Sequence, residues 1–309
     1  PSRPGNSPPV NWRLRPVQDA LEPGSTVKPV VAAAALSRGA VRNGELFDCT
    51  DRGTRVAGHW VRDHADPGMY TLDEVVVYSA NVGIIQAAER VPDEELWNAF
   101  SAFGFGRRSG IDFPAEARGL MPEARSWSKM SSAGFALGQE LTTSPLQMAM
   151  AYAAIANGGW LRKPVLVRSE NVDEGAATAA PAVRVLDEGL ARRLSSMLED
   201  VVGQGTGGLA GVRGYRVAGK TGTAQRAENG TYNDGRHTSW FAGFFPMPDP
   251  RLVVVVVVED PAKEDFWAST VAAPVFSEIA SAAAAILDIP PTVNRGVSEL
   301  PAQVAGGSV

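Results

Sequence analysis

The sequence contains a single cysteine, Cys49. An intrachain disulfide is therefore excluded, and cysteine usage does not separate an oxidising from a reducing compartment. Histidine is scarce too: His59, His64 and His237 are the whole set. They are too scattered for a Ser-His-Asp arrangement, and the G-x-S-x-G elbow of that chemistry does not occur. His59 and His64 stand five apart with no supporting cysteine, a poor zinc pattern. No excess of basic charge exists, the formal net charge being -5, so the electrostatic footprint of a nucleic-acid partner is missing. Long apolar runs are missing as well. Those around Val30 to Leu36 and Val253 to Val258 fall well short of the ~20 residues that cross a bilayer, and no membrane anchor is expected within these residues.

What the sequence has is 309 residues, 44% hydrophobic and 20% charged, enough for a large core in one big domain or two lobes. The Pro- and Gly-rich start, on Pro1 rather than Met, makes residues 1–10 read as a linker remnant of a longer protein. Alternation over residues 10 to 21 suggests a strand, broken by Glu22-Pro23-Gly24. An Ala-rich helix then runs from Thr26 to Leu36, with Ser25 at or near its N-terminus and Pro29 tolerated in the first turn. Thr71 and Glu74 form a capping box that opens a helix carrying Val75 to Tyr78. Ser79-Ala80-Asn81 falls in a turn before a second helical segment, Val82 to Arg90. Residues 92 to 160 read as mostly helical with short breaks, and residues 171 to 182 as an acidic surface loop.

The character then changes. Leu186 to Val202 has helical periodicity and leads into the flexible turn Gly203 to Gly208. Strands follow at Tyr215 to Thr223, Ser239 to Phe245 and Arg251 to Glu259. The valine run of the last suits the centre of a sheet covered on both faces. Short loops favour antiparallel neighbours. A helix from Thr270 to Leu287 covers the sheet, and residues 290–309 form a flexible tail. The class is α+β, a mainly antiparallel central sheet covered by helices with a helical lobe. No internal repeat is present.

Three short strings carry chemistry. Ser25 and Lys28, three apart on a helix, share a face. A serine hydroxyl needs a base to become a nucleophile, and a lysine serves if it rests neutral. Burial and a second cation both favour the neutral form, and Lys220 is the candidate second cation. Ser79 can relay a proton to a leaving amine, while the Asn81 amide can orient a substrate. Lys220, Thr221 and Thr223 on a strand can hold a substrate carboxylate, with Gly222 permitting close approach to the backbone. The amides of Ser25 and Thr223 are candidate oxyanion donors. Taken singly, each string is also an ordinary cap, turn or edge strand. Residues 214 to 221 match G-x-x-x-x-G-K-[ST] literally, but no apolar helical run follows Thr221, so a phosphate-binding loop is rejected.

The flanks narrow the choice. Glu22 to Pro29, Tyr78 to Asn81, Gly138-Gln139 with Thr143 to Gln147, Asn157-Gly158-Gly159 and Val217 to Gln225 together resemble the transpeptidase domain of class B penicillin-binding proteins. Thr270 to Phe276 is similar to the septal, cell-division branch. The resemblance covers residues 11–289, taken as the transpeptidase domain. It implies a penicillin-binding-protein/serine β-lactamase-like fold with no cofactor or metal, and a D,D-transpeptidase that cross-links peptidoglycan stem peptides outside the cytoplasmic membrane. Ser25 would be the nucleophile and Lys28 the base. Ser79 and Asn81 would assist, and Lys220, Thr221 and Thr223 would hold the terminal carboxylate. β-Lactam antibiotics would acylate Ser25, and division-complex proteins would be partners of the full-length, membrane-anchored protein. A β-lactamase or D,D-carboxypeptidase, and a non-catalytic β-lactam sensor or division scaffold, are the alternatives.

Overall fold

Pro16 occupies the first turn of a short helix, α1 (Arg15–Gln18), where the alternation of residues 10 to 21 predicts a strand. Proline presets helical φ and lacks only an amide that a first turn leaves unpaired. The computed structural model describes residues 12–167, 182–226, 235–262 and 264–292. The acidic loop expected over residues 171 to 182 lies outside them except for Ala182.

Helix α2 (Lys28–Ser37) is buried from Lys28 through Ala35. A helix apolar all round belongs in an interior, and its alanines let neighbours approach closely. Next come two nested antiparallel hairpins that the sequence pattern does not announce: β1 (Leu46–Cys49) pairs with β4 (Gly68–Thr71), and β2 (Gly53–Val56) with β3 (His59–Arg62) between them. Each strand spans four residues, too few for a period to register. They lead directly into α3 (Leu72–Val77), whose capping box is formed by Thr71 and Glu74 as expected, and α4 (Asn81–Ala88) follows.

The helices α5 (Asp93–Ala102), α6 (Ser131–Leu137) and α7 (Pro145–Ala156) complete the helical lobe with α2 to α4. Between α5 and α6 the expectation of short breaks fails. Residues 103 to 130 hold one 3-10 turn, Ala124–Ser126, because Gly104, Gly106, Gly110 and Gly119 all take left-handed φ, which helices do not accept. A small hairpin, β5 (Trp160–Arg162) with β6 (Ala182–Arg184), precedes α8 (Glu188–Gly203).

The central sheet is antiparallel with strand order β7 (Ala218–Gln225), β8 (His237–Phe245), β9 (Leu252–Glu259). Side chains alternate across it. On β8, Trp240, Ala242 and Phe244 enter the core of the helical lobe, while Phe241 and Phe245 enter a second core beneath the last helix, α9 (Ala268–Ile286). The valine run is divided in the same way. Val253, Val255 and Val257 pack on the first core, and Val254, Val256 and Val258 on the second. Both faces are therefore covered as expected, yet β9 is not central: among the described residues β8 holds the middle.

Helix α9 is long and apolar enough to cross a bilayer by length and composition, but Ala272, Ala273, Phe276 and Ala280 are buried in the second core. Beyond it Ile289 accepts a hydrogen bond from Tyr215 Oη, and Thr292 N donates to Gly214 O. The remainder of the tail lies outside the described residues.

Candidate active site

Ser25 sits in a 3-10 turn, Gly24–Val27, and Lys28 is the first residue of α2. The sequence puts Ser25 at the helix start, and the tighter turn sharpens that: with three residues per turn, positions i and i+3 eclipse, so the serine and the lysine emerge in line. The turn is fastened from several sides. Thr26 Oγ1 donates to Pro23 O at 2.8 Å, and the buried Tyr152 hydroxyl donates to Thr26 O at 2.8 Å. Gly24 N donates to Gly138 O at 3.2 Å. Strand β7 leans on the same turn at Gly222, where a Cβ would stand 2.6 Å from Pro23 O. The space on the Cβ side of Gly222 is thus occupied by the serine turn.

The Ser79-Ala80-Asn81 string joins α3 to α4 as expected, with Asn81 already the first residue of α4. Its conformation is a Schellman ending, in which Ala80 N donates to Val75 O and Ser79 N to Val76 O. That motif needs a left-handed residue and normally uses glycine. Here Ser79 adopts φ 61°, a strain of about 1–2 kcal/mol for a residue with a Cβ. The strained residue presents its carbonyl and hydroxyl to Lys28. Lys28 Nζ donates to Ser79 O at 2.5 Å, to Ser79 Oγ at 3.2 Å and to Asn81 Oδ1 at 2.8 Å. Asn81 is oriented in turn by donating from Nδ2 to Arg62 O at 2.9 Å.

Lys28 is fully buried, and desolvation lowers its pKa from 10.5 to about 7, with the negative charge of Asp63 opposing that fall. Near neutral pH the amine is accordingly a usable base. Lys220, on β7, is also fully buried and lies well below the ordinary lysine range, first through desolvation and second through the positive charge of Lys28. Lys220 Nζ donates to Thr221 O at 3.2 Å and to Thr221 Oγ1 at 3.4 Å. The Thr221 hydroxyl shares a 2.7 Å hydrogen bond with that of Thr206. Thr223 Oγ1 accepts from Ala268 N at 3.0 Å, so it also caps α9. Lys220 and Thr221 lie inside the strand Ala218–Gln225, where a phosphate loop would need a helix to open, which agrees with rejecting one.

Ser25, Lys28, Ser79, Asn81 and the strand 220 to 223 therefore meet around one seam, between the helical lobe and β7. Sequence reasoning missed Asp63, Thr206 and Tyr152. Asp63 ends a hairpin that has no periodic signal. Thr206 lies in a Gly-rich run that reads as a flexible turn, and Tyr152 reads as one more apolar residue of α7. The histidines keep to other work: His64 packs edge-on against Trp267, and His237 stacks on Phe266. Among the described residues no group of three or more His, Cys, Asp or Glu side chains is placed to hold a metal ion.

The fold and the seam define an α+β domain in which a serine turn, a buried lysine and the strand through Lys220 come together. The family model for the penicillin-binding protein transpeptidase domain matches residues 1–281, and the chain belongs to that family, in its class B, septal-type branch. It is 34% identical over 293 residues to peptidoglycan D,D-transpeptidase FtsI of Escherichia coli, covering 94% of this chain and 48% of that protein. To stage V sporulation protein D of Bacillus subtilis it is 35% identical over 297 residues, 93% of this chain and 46% of that one. The chain spans about half the length of these curated relatives. The TP domain of Burkholderia pseudomallei penicillin-binding protein 3 superposes with a TM-score of 0.84 at 32% identity, covering 92% of this chain and 85% of that one.

Proposed function

We propose that this chain is the acyl-transfer domain of a peptidoglycan D,D-transpeptidase, acting on stem peptides that end in D-Ala-D-Ala. The observation that carries the reading is Lys28: a buried amine titrating about pH 7, held by Ser79 and Asn81 one 3-10 turn from Ser25. Neutral Lys28 takes the Ser25 proton as Oγ attacks the penultimate D-Ala carbonyl. The amides of Ser25 and Thr223 receive the oxyanion. Supporting that pairing, a Cβ on Gly24 would stand 3.4 Å from Thr223 N, so the β7 backbone runs along the serine turn. Collapse of the tetrahedral adduct breaks the peptide bond. Lys28 returns its proton through Ser79 Oγ to the leaving amine, and D-Ala departs. An amine of a second stem peptide then attacks the ester, gives up its proton along the same path, and frees Ser25.

Lys220 and Thr221 hold the terminal carboxylate. A carboxylate arriving beside Lys220 favours its ammonium form, and that positive charge in turn favours the neutral form of Lys28. Substrate docking and base activation are thereby linked. The domain would work on the outer side of the cytoplasmic membrane as part of a longer anchored protein, with division proteins as partners, and β-lactam antibiotics would acylate Ser25 in place of the stem peptide.

Intact-mass spectrometry after exposure to a penicillin tests the reading. One stable adduct is expected on the wild-type chain and none on Ser25→Ala. An unmodified wild-type chain overturns the proposal, and rapid turnover of nitrocefin would favour a β-lactamase instead.

A further inference from the structure

Helix α4 starts at Asn81 with Ala80 as its N-cap, and Ala80 has no side chain able to accept a bond. The first amides of a helix need partners, and a carboxylate there also meets the positive end of the helix dipole. Asp63 supplies both from outside the helix. Its Oδ1 accepts from Asn81 N at 2.9 Å, and its Oδ2 accepts from Val82 N at 2.8 Å. The aspartate is itself held, since Asp63 N donates to Arg52 O and Ala65 N donates to Asp63 Oδ1. The nested hairpins therefore end by delivering a carboxylate to the base of the turn on which Lys28 rests.

We propose that Asp63 is a positioning residue for acylation: its carboxylate clamps the first turn of α4, holds Asn81 and Ser79 under Lys28, and supplies the negative charge that the lysine faces. This rests on the reading of Ser25 and Lys28 as nucleophile and base. The chain of contacts is short, Lys28 Nζ to Asn81 Oδ1 and Asn81 N to Asp63 Oδ1. The groups facing Lys28 are the Cys49 thiol from β1, Asp63 and His64 from the segment after β3, the uncharged Ser79 and Asn81 at the start of α4, and Lys220 from β7. Cys49 is pushed up to about 11 by burial and stays uncharged at neutral pH. Burial lowers the pKa of His64, with Asp63 opposing and Lys28 and Arg62 adding to the fall, so the imidazole is not a second anion beside Lys28. Asp63 is then the anionic group that opposes neutralisation of Lys28, and without it the lysine should lose its proton at lower pH.

The experiment measures the second-order rate of Ser25 acylation by a fluorescent penicillin from about pH 5.5 to about pH 9.5, for wild type, Asp63→Asn, Asp63→Ser and Asp63→Glu, with a thermal melt of each. Asn and Ser both cap helices without charge, whereas Glu keeps the charge on a longer arm. In Asn and Ser variants the acid limb of the profile is expected to move to lower pH by on the order of one unit, with a reduced plateau. In the Glu variant the limb should stay at the wild-type pH. A limb that does not move in Asn and Ser, with rates falling only as the melting temperature falls, overturns the proposal. So does failure of both neutral variants to fold, which would make the carboxylate purely structural. Absence of acylation in the wild type would instead sink the transpeptidase reading.

Discussion

Gly222 on β7 and Pro23 ahead of the Ser25 turn meet backbone to backbone, so closely that a Cβ on Gly222 would stand 2.6 Å from the Pro23 carbonyl oxygen and 3.0 Å from Thr26 N. Neither contact is with a flexible side chain, so neither can yield without moving the turn. Gly222→Ala is expected to cost about 1–3 kcal/mol of stability through overpacking and to lower Ser25 acylation disproportionately, because displacing a nucleophile by about 1 Å costs on the order of a hundredfold. Chemical denaturation alongside the acylation rate checks this. An alanine variant acylated at the wild-type rate would show that the contact does not set the serine.

The titration of Lys28 makes a signed prediction about stability. Unfolded, the lysine keeps its proton up to about 10.5; folded, it loses it above about 7. Between those limits the unfolded chain binds more protons, so this group makes stability rise with pH by ~1.4 kcal/mol per unit, and below the folded pKa its contribution is flat. Lys220, also lowered, acts with the same sign. Lys28→Met should remove its share of the slope between about pH 7.5 and about pH 9.5 while abolishing acylation. Urea denaturation at several pH values reads the first, and an unchanged slope would contradict the burial described for the amine.

Ser79 holds a position that glycine would occupy without strain. Ser79→Gly is therefore expected to stabilise the fold by about 1 kcal/mol and to slow acylation by roughly a hundredfold through loss of the relaying hydroxyl. The two effects have opposite signs, which a melt and a rate measurement separate. A variant that loses stability and rate together would mean that the serine is kept for packing.

Gln147, at the third position of α7, is a hub rather than a reactant. Its Oε1 accepts from Ser144 N at 2.8 Å, and its Nε2 donates to Arg107 O at 2.7 Å and Arg118 O at 2.9 Å. Gln147→Leu leaves the buried Ser144 amide without its partner and removes both part-buried carbonyl bonds, and should cost about 1–3 kcal/mol, seen as a lowered denaturation midpoint. An unaltered midpoint would mean that water reaches these groups.

Much of this was legible in the residues, for identifiable reasons. Capping chemistry is local, so Thr71 with Glu74 marked a helix start, and the apolar strands of the sheet were visible because their periods run long enough. The three reactive strings could be read from spacing and flanks. Alternation was misleading around Pro16, where a single turn of helix forms. The hairpins of Leu46 to Thr71 were invisible because four-residue strands carry no usable period. Asp63 was lost with them: it acts on Asn81 across 18 residues, and long-range capping leaves no mark in the local sequence. The same limit hid the Tyr152 hydroxyl, whose partner, Thr26 O, is 126 residues away.

Helix α2 has no solvent side through its first eight residues, and its first residue, Lys28, is the base in the proposed mechanism. Segments that open locally do so where few apolar contacts hold them, and this one is held from every direction. Its amides should therefore exchange with solvent deuterium only when the whole molecule opens. The reactive centre cannot loosen ahead of the fold, so on heating, the capacity to take up a β-lactam and the near-ultraviolet signal of the core should disappear in a single transition.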